Sequence, residues 1–228
     1  MLVLSLKQNV GAQGFANLNF ESANVSGYSP NSDVPTASAL PGWSASFLNS
    51  SGTDVLTQVS YDRISLGGAT ISIIDSNAPV FGPLQGKYSA FLFGGPLGPT
   101  ALVSAQISQT GMVPVGTESL LFDAQVSGAP FTVTLGGQTI AMALLQPSSN
   151  DTLYGGNIPS ELAGQIEALT FTEPPAMGVQ PSMFELDNIQ FSASSVPEPS
   201  ALGLTLLCGM LFAWRHYNKQ KEKHDIDA

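Results

Sequence analysis

The chain has 228 residues, of which 11% are charged, against about 25% in an average soluble domain. Glycine (23) and proline (16) are plentiful, and the mean hydropathy is +0.16. This composition excludes a coiled coil, a highly charged disordered tail and an ordinary helical cytosolic domain. The length suffices for one domain with a substantial hydrophobic core.

The net charge of −10 is unevenly distributed along the chain. Through residue 214 there are 14 acidic residues and only three basic ones, Lys7, Arg63 and Lys87. The other four basic residues lie in the last 14 positions. A body this acidic repels phosphate backbones, so we expect no nucleic-acid partner.

Histidine and cysteine are confined to the C-terminal segment, at Cys208, His216 and His224. The body before it therefore has no Ser-His-Asp triad, no Cys-His nucleophile and no zinc site made of histidine or cysteine. The chemistry left to it is that of carboxylates and of hard cations bound by oxygen.

Residues 1–14 contain a short apolar run, followed by the small residues Gly11 and Ala12. A complete export signal has a basic start and about 7–15 apolar residues, and this segment has neither. It is interpreted either as the remnant of a signal peptide or as a first β-strand.

The body, residues 15–192, consists of short apolar runs separated by turn-forming residues, which predicts an antiparallel β-sandwich, most simply a jelly roll. One short helix is predicted at 158–168, and Gly136-Gly137 predicts a tight hairpin turn. The eleven predicted strands are 15–20, 43–48, 55–61, 69–74, 88–93, 101–108, 119–126, 131–135, 138–145, 166–172 and 183–192.

The C-terminal segment has three parts: a linker at 193–200, an uncharged apolar stretch at 201–214 and a basic tail at 215–228. Fourteen helical residues reach about 21 Å, short of a hydrocarbon core of about 30 Å. Flanking aromatic and basic residues make a span of a thin membrane feasible, with the tail in the cytoplasm and the body outside. The alternative is a helix packed in the core of the sandwich.

This order of parts resembles the PEP-CTERM sorting signal of Gram-negative bacteria. The matching residues are Pro197, Glu198, Pro199, the helix 201–214 and Arg215. The resemblance implies export by the Sec translocon, transient tethering in the inner membrane and processing by an exosortase, followed by release to the cell surface or an extracellular polysaccharide matrix. This chain continues beyond the basic cluster, where members of the family usually end.

The body carries Asn19-Phe20-Glu21 near its start and Leu186-Asp187-Asn188-Ile189 near its end. This opening and closing resembles galactose-binding-like jelly-roll domains, including carbohydrate-binding modules. The resemblance implies Glu21 and Asp187 as ligands of a structural calcium ion, which takes six to eight oxygen ligands. The alternative is that both are ordinary edge or turn residues. No other cofactor is expected.

Two aromatic residues, Trp43 and Tyr28, are candidates for a platform that stacks on a sugar ring. The alternative for Trp43, which follows Leu40-Pro41-Gly42, is burial in the core. Four acids are candidates for glycoside hydrolysis by composition alone: Asp62, Glu118, Asp123 and Asp151.

Together these features predict an exported, non-enzymatic surface or matrix protein that binds polysaccharide weakly. The alternatives are a purely structural or adhesive matrix protein and a glycoside hydrolase that uses carboxylates.

Overall fold

A computed structural model of the chain describes residues 13–64, 67–79, 82–99, 101–128, 130–175 and 182–197. The chain forms two compact units, Met1–Ser195 and Val196–Ala228, and the fold described below is that of the first. The predicted signal remnant at 1–14 lies almost entirely outside the described residues. The predicted sorting helix and the basic tail lie wholly outside them.

Short strands make up most of the described chain, as its frequent turn-forming residues predict. The elements are β1 (Asp33–Pro35), α1 (Thr36–Ala39), β2 (Ser44–Asn49), β3 (Gly52–Leu56), β4 (Gln58–Tyr61), β5 (Thr70–Ile74), β6 (Ser89–Leu97), β7 (Ala101–Met112), β8 (Ser119–Ser127), β9 (Thr132–Leu135), β10 (Gln138–Ile140), β11 (Ala143–Pro147), β12 (Thr152–Asn157), a 3-10 turn (Ser160–Leu162), β13 (Ile166–Glu173) and β14 (Ser182–Ser192).

The strands form two sheets. Sheet A has the order β10-β9-β13-β7-β2-β3 and its described pairs are antiparallel. Sheet B has the order β1-β4-β5-β6-β14-β8-β12-β11, and its described pairs are antiparallel apart from the parallel pair β4 and β5. The ladder between β6 and β7 joins the two sheets. The predicted all-β, mainly antiparallel architecture is confirmed.

The core lies between the two sheets, because alternate residues of each strand point inward. On β7 the buried residues Val103, Ala105 and Ile107 alternate with more exposed neighbours. Aromatic rings meet across the interior: the Phe122 ring of sheet B and the Phe171 ring of sheet A lie edge to face with centroids 5.2 Å apart. Such burial of apolar surface is the main stabilising contribution to a sandwich.

Two predicted elements are absent from the described fold. Residues 15–20 form no strand: 15–17 are irregular, 18–20 turn, and Phe20 is buried with a φ of +55°. The helix predicted at 158–168 is reduced to the 3-10 turn, because Gly164 takes a φ of +79° and β13 begins at Ile166. A residue with positive φ interrupts both an extended strand and a regular helix. In these two segments the backbone conformation therefore departs from the one that the apolar spacing predicted.

Strand boundaries also differ from prediction. The run 55–61 is divided between β3 and β4, and the run 138–145 between β10 and β11. β1 and β12 were not among the predicted strands. β12 contains Gly155-Gly156, and a Cβ at Gly156 would lie 2.6 Å from the carbonyl oxygen of Ala141. Glycine here permits close approach of a neighbouring chain segment.

The predicted hairpin turn at Gly136-Gly137 is confirmed between β9 and β10, where Leu135 pairs with Gln138. Both glycines have positive φ, +59° and +77°, as a type I′ turn requires.

We expect Gly137→Ala to lower the free energy of unfolding by about 1 kcal/mol, because an L side chain is strained at this φ. A Cβ at Gly137 has no heavy-atom neighbour within 4 Å, so the cost is conformational and not steric. Gly137→Asn is the matched control, since asparagine tolerates this region better. Chemical denaturation of the three proteins checks this, and equal losses for Ala and Asn would contradict it.

Candidate functional site

Glu21 lies in a turn before the first strand, and its carboxylate holds the segment that leads into β6. Oε1 of Glu21 accepts hydrogen bonds from the backbone N–H groups of Lys87, at 2.7 Å, and Tyr88, at 3.1 Å. The residues around Glu21 form turns, so Glu21 does not adjoin a strand as the prediction for 15–20 implied.

Asp187 lies on β14, as predicted, and is buried. Its Oδ2 accepts hydrogen bonds from the Gln85 backbone N–H and the Ser89 hydroxyl, both at 3.1 Å, and its Oδ1 accepts one from the Asn188 N–H at 2.6 Å. Burial raises the pKa of Asp187 to about 7 against these hydrogen bonds, and the negative charge of Glu21 adds to the rise. The structure thus brings Glu21 and Asp187 to one segment, residues 85–89, where Asp187 is bonded to both ends and Glu21 to the middle.

The hydrogen bonds around these two carboxylates do not fit a calcium ion. Each carboxylate oxygen has two lone pairs, and both Oε1 of Glu21 and Oδ2 of Asp187 already face two donors each. Calcium instead needs a shell of six to eight oxygens that point toward it. Within the described residues, no group of three or more acidic, histidine or cysteine side chains is placed to hold a metal.

Several further acids are buried, and no sequence pattern pointed to them. Glu185 on β14 and Glu173 at the end of β13 are at most 1% exposed. Burial raises the pKa of each to about 8. Among the described residues, both oxygens of Glu185 and Oε2 of Glu173 have no hydrogen-bond partner. A neutral carboxylic acid is the stable form of such a group near neutral pH.

A second pair of acids, Asp62 and Asp75, follows the parallel strands β4 and β5. Oδ1 of Asp62 accepts the Asp75 N–H at 2.9 Å, and Oδ2 of Asp75 accepts the Tyr61 hydroxyl at 2.8 Å. Burial raises the pKa of Asp62. Burial also opposes ionisation of Asp75, but hydrogen bonds from Asn77 and Tyr61 keep its pKa below the usual range. Asp62 is fully buried, so it fixes the local backbone and is not placed to meet a substrate.

The two aromatic candidates have different surroundings. Trp43 is 5% exposed and packs against Phe20 and Phe171, with ring centroids 5.8 and 6.1 Å away. Its Nε1 donates to the Asn17 carbonyl at 3.1 Å. Tyr28 is 39% exposed in a loop. The ring of Trp43 therefore lies in the core in this structure, while Tyr28 is open to solvent.

A polar cleft of about 450 Å³ is lined by residues of β3, β4 and β5. Arg63 donates to Oδ1 of Asp33 at 2.9 Å and to the Ser60 hydroxyl at 3.1 Å. It also donates to the Asn31 carbonyl. Side chains of Asp54 and Gln58 line the same cleft. Sequence patterns did not indicate this site, because its residues come from four separate segments.

The remaining predicted residues are scattered. Asp123 is 7% exposed on β8 and accepts hydrogen bonds from the side chains of Gln85 and Asn188. Glu118 and Asp151 do not line the polar cleft.

Glu198, Pro199 and Arg215, the residues of the predicted sorting signal, lie outside the described residues, and Pro197 is at their edge. Within the described part of the chain, no helix is long and apolar enough to cross a membrane.

No protein-family model and no curated protein matches the chain. Among solved structures, the enzymatically active domain of tailspike protein 4 from bacteriophage CBA120 is similar to 72% of this chain, with 15% identity and a TM-score of 0.37. The similarity covers 22% of that chain, so this chain spans about a fifth of its length.

Proposed function

We propose that this chain is an exported bacterial surface or extracellular-matrix protein that binds a neutral polysaccharide weakly and has no catalytic role. The observation that carries the proposal is the polar cleft beside β3. Its Arg63 guanidinium is held in place by Asp33 and Ser60. A fixed guanidinium beside carboxylates offers both donors and acceptors to neighbouring sugar hydroxyls.

The charge of the body indicates the class of glycan. The cleft carries the carboxylates of Asp33 and Asp54 against the single cation of Arg63. The chain through residue 214 has 14 acids and three bases. Acidic polysaccharides would be repelled by this field, so the proposal names an uncharged glycan. A jelly-roll topology, as in carbohydrate-binding modules, belongs to the same proposal.

The position of the carboxylates also supports a role without catalysis. Two of the four acids considered for glycoside hydrolysis, Asp62 and Asp123, are at most 7% exposed. Asp123 has its Oδ2 occupied by two side-chain donors. A glycosidase needs two carboxyl groups on either side of an accessible glycosidic bond.

Affinity electrophoresis of the full chain in non-ionic detergent tests the proposed binding. We expect gels containing a neutral glucan or galactan to retard the protein, and gels containing alginate to leave it unretarded. Arg63→Ala and Asp54→Asn should each abolish the retardation, whereas Asp151→Asn, outside the cleft, should retain it. Thermal unfolding should show little change for Arg63→Ala, because an exposed ion pair contributes at most about 1 kcal/mol.

Failure of every neutral glycan to retard the protein would instead favour a purely structural or adhesive matrix protein. Release of new reducing ends from a retarding glycan would favour the hydrolase. Equal retardation of wild type and Arg63→Ala would move the binding site away from the cleft.

The proposed route to the surface uses the PEP-CTERM signal, with the Sec translocon, the inner membrane and an exosortase as its partners. We expect replacement of Pro197, Glu198 and Pro199 by alanine to leave an unprocessed, membrane-bound form in the native host. Immunoblotting of membrane and extracellular fractions measures this. An unchanged size and location would contradict the sorting proposal and leave the binding proposal intact.

A further inference from the structure

Residues 84–89, the segment that enters β6, present a series of hydrogen-bond donors to three carboxylates. Lys87 and Tyr88 donate their backbone N–H groups to Oε1 of Glu21. The Gln85 N–H donates to Oδ2 of Asp187 at 3.1 Å. The Gln85 side chain donates to Oδ2 of Asp123 at 3.0 Å. The carboxylates come from a turn near the start of the chain, from β14 and from β8.

The hydroxyl of Ser89 completes this arrangement. It accepts the Leu84 N–H at 2.7 Å and is 3.1 Å from Oδ2 of Asp187. A serine hydroxyl has one proton to donate, so in this arrangement the proton goes to Asp187. The segment is thus bonded at both ends to Asp187 and in its middle to Glu21.

We propose that Glu21 and Asp187 form a metal-independent latch on residues 84–89, in which N–H and O–H donors of the chain occupy the positions beside the carboxylate oxygens that a bound cation would take. The two oxygens that carry the latch, Oε1 of Glu21 and Oδ2 of Asp187, each face two donors. A cation at either oxygen would meet N–H or O–H hydrogens, which repel it, and would have to break these bonds before binding.

The backbone at Gly86 is shaped for this latch. Gly86 has a φ of +57°, and a Cβ added there would lie 2.2 Å from Oε1 of Glu21. The carboxylate therefore fills the space that a side chain at residue 86 would occupy. Such close contact lets one oxygen receive the N–H groups of both Lys87 and Tyr88, as in other sites where consecutive backbone amides bind an anionic group.

The latch replaces a metal in its structural role. It ties the first turn of the domain, through Glu21, to the last strand, through Asp187, by way of a segment distant from both in sequence. The hydrogen bonds that the carboxyl groups of Glu21 and Asp187 accept in this arrangement measure 2.6–3.1 Å.

Thermal unfolding of the full chain in non-ionic detergent, followed by near-UV circular dichroism, tests the proposal. We expect the same Tm in EDTA, in millimolar calcium chloride and in millimolar magnesium chloride. In EDTA, Glu21→Ala and Gly86→Ala should each lower the Tm by about 5 °C or more. Glu21→Gln should lower it less than Glu21→Ala, because an amide oxygen still accepts hydrogen bonds.

A structural calcium site gives the opposite pattern. Calcium would raise the Tm of the wild type in a saturable way, and Glu21→Gln would remove that rise, which would overturn the proposal. A Glu21→Ala protein as stable as the wild type would overturn it as well. If Glu21→Ala does not fold, equilibrium dialysis of the wild type and Glu21→Gln with radioactive calcium decides, since stoichiometric binding lost in Glu21→Gln contradicts the latch. The result does not depend on whether the cleft beside β3 binds a glycan.

Discussion

Replacing Phe122 by alanine is expected to lower the free energy of unfolding by about 3–5 kcal/mol, the range for a large buried aromatic side chain. Phe122 is fully buried on β8. In a domain of this size that loss corresponds to a fall in Tm of roughly 6–20 °C. Chemical denaturation of the full chain in detergent gives the free energy directly, provided that the slope with denaturant is unchanged.

The size of the effect follows from the position of Phe122 among other rings. Its ring is 5.2 Å from that of Phe171 across the sandwich and 6.0 Å from that of Phe184 on the neighbouring strand. It also stacks on Tyr154, at 5.8 Å. Truncation removes one side of each contact and leaves a cavity that strands held in two ladders cannot readily fill.

Val115→Ala is the control for Phe122→Ala, because Val115 is 86% exposed in the connection between β7 and β8. We expect a change within about 0.5 kcal/mol there. A loss at Phe122 no larger than that at Val115 would show that the two sheets do not pack through this ring.

The strands that cross the core were predictable because apolar residues recur with period two in several of them. On β7 the residues Val103, Ala105 and Ile107 point inward, and on β14 Phe184 and Leu186 do. The turn at residues 136–137 was predictable for a different reason, since two consecutive glycines permit the positive φ values that a tight hairpin needs.

Residues 15–20 were not predictable in the same way. Their apolar residues alternate, but Asn17 and Phe20 take positive φ values of +50° and +55°. The turn is held by non-local contacts, such as the hydrogen bond from the Trp43 side chain to the Asn17 carbonyl. A strand pattern in the local sequence contains no information about such a partner.

The burial of Glu185 could not be predicted from the sequence for the same reason, since it depends on residues distant along the chain. Alternation along β14 places Glu185 on the face opposite Phe184 and Leu186, which in an isolated sandwich is the solvent side. In the structure this outer face of sheet B carries a second apolar cluster, formed by Ile74, Phe91 and Phe93. Ile64, Ala78 and Met183 pack against that cluster, and Glu185, on the same face, is 1% exposed. The alternation of β14 does not reveal contacts between segments so distant in sequence.

Glu173 gives the expected pH dependence of stability. It lies on the inward face of β13 with Leu169 and Phe171, and it is fully buried. Burial raises its pKa from 4.5 to about 8, opposed by a hydrogen bond from Ser182. The folded state therefore keeps a proton that the unfolded chain loses above about pH 4.5.

The sign of the effect follows from that difference in bound protons. Where the folded state binds more protons than the unfolded state, stability falls as the pH rises. The stabilising contribution is complete below pH 4.5 and is lost progressively up to the folded pKa of about 8, at up to about 1.4 kcal/mol per pH unit. Above that pH, Glu173 is ionised in both the folded and the unfolded state, so it no longer changes the stability as the pH rises.

We therefore expect Glu173→Gln to flatten the fall in stability between pH 5 and pH 8 (~1.4 kcal/mol per unit for one such group), because glutamine has no proton to lose. The free energy of unfolding of the variant, relative to that of the wild type, therefore rises steadily across this range, whatever its value at pH 5. Denaturant titrations at successive pH values measure the slope. Glu161→Gln, exposed on the 3-10 turn, controls for the change in net charge. Identical slopes for wild type and Glu173→Gln would show that Glu173 is ionised in the folded protein, so that its burial must be relieved by water or a cation.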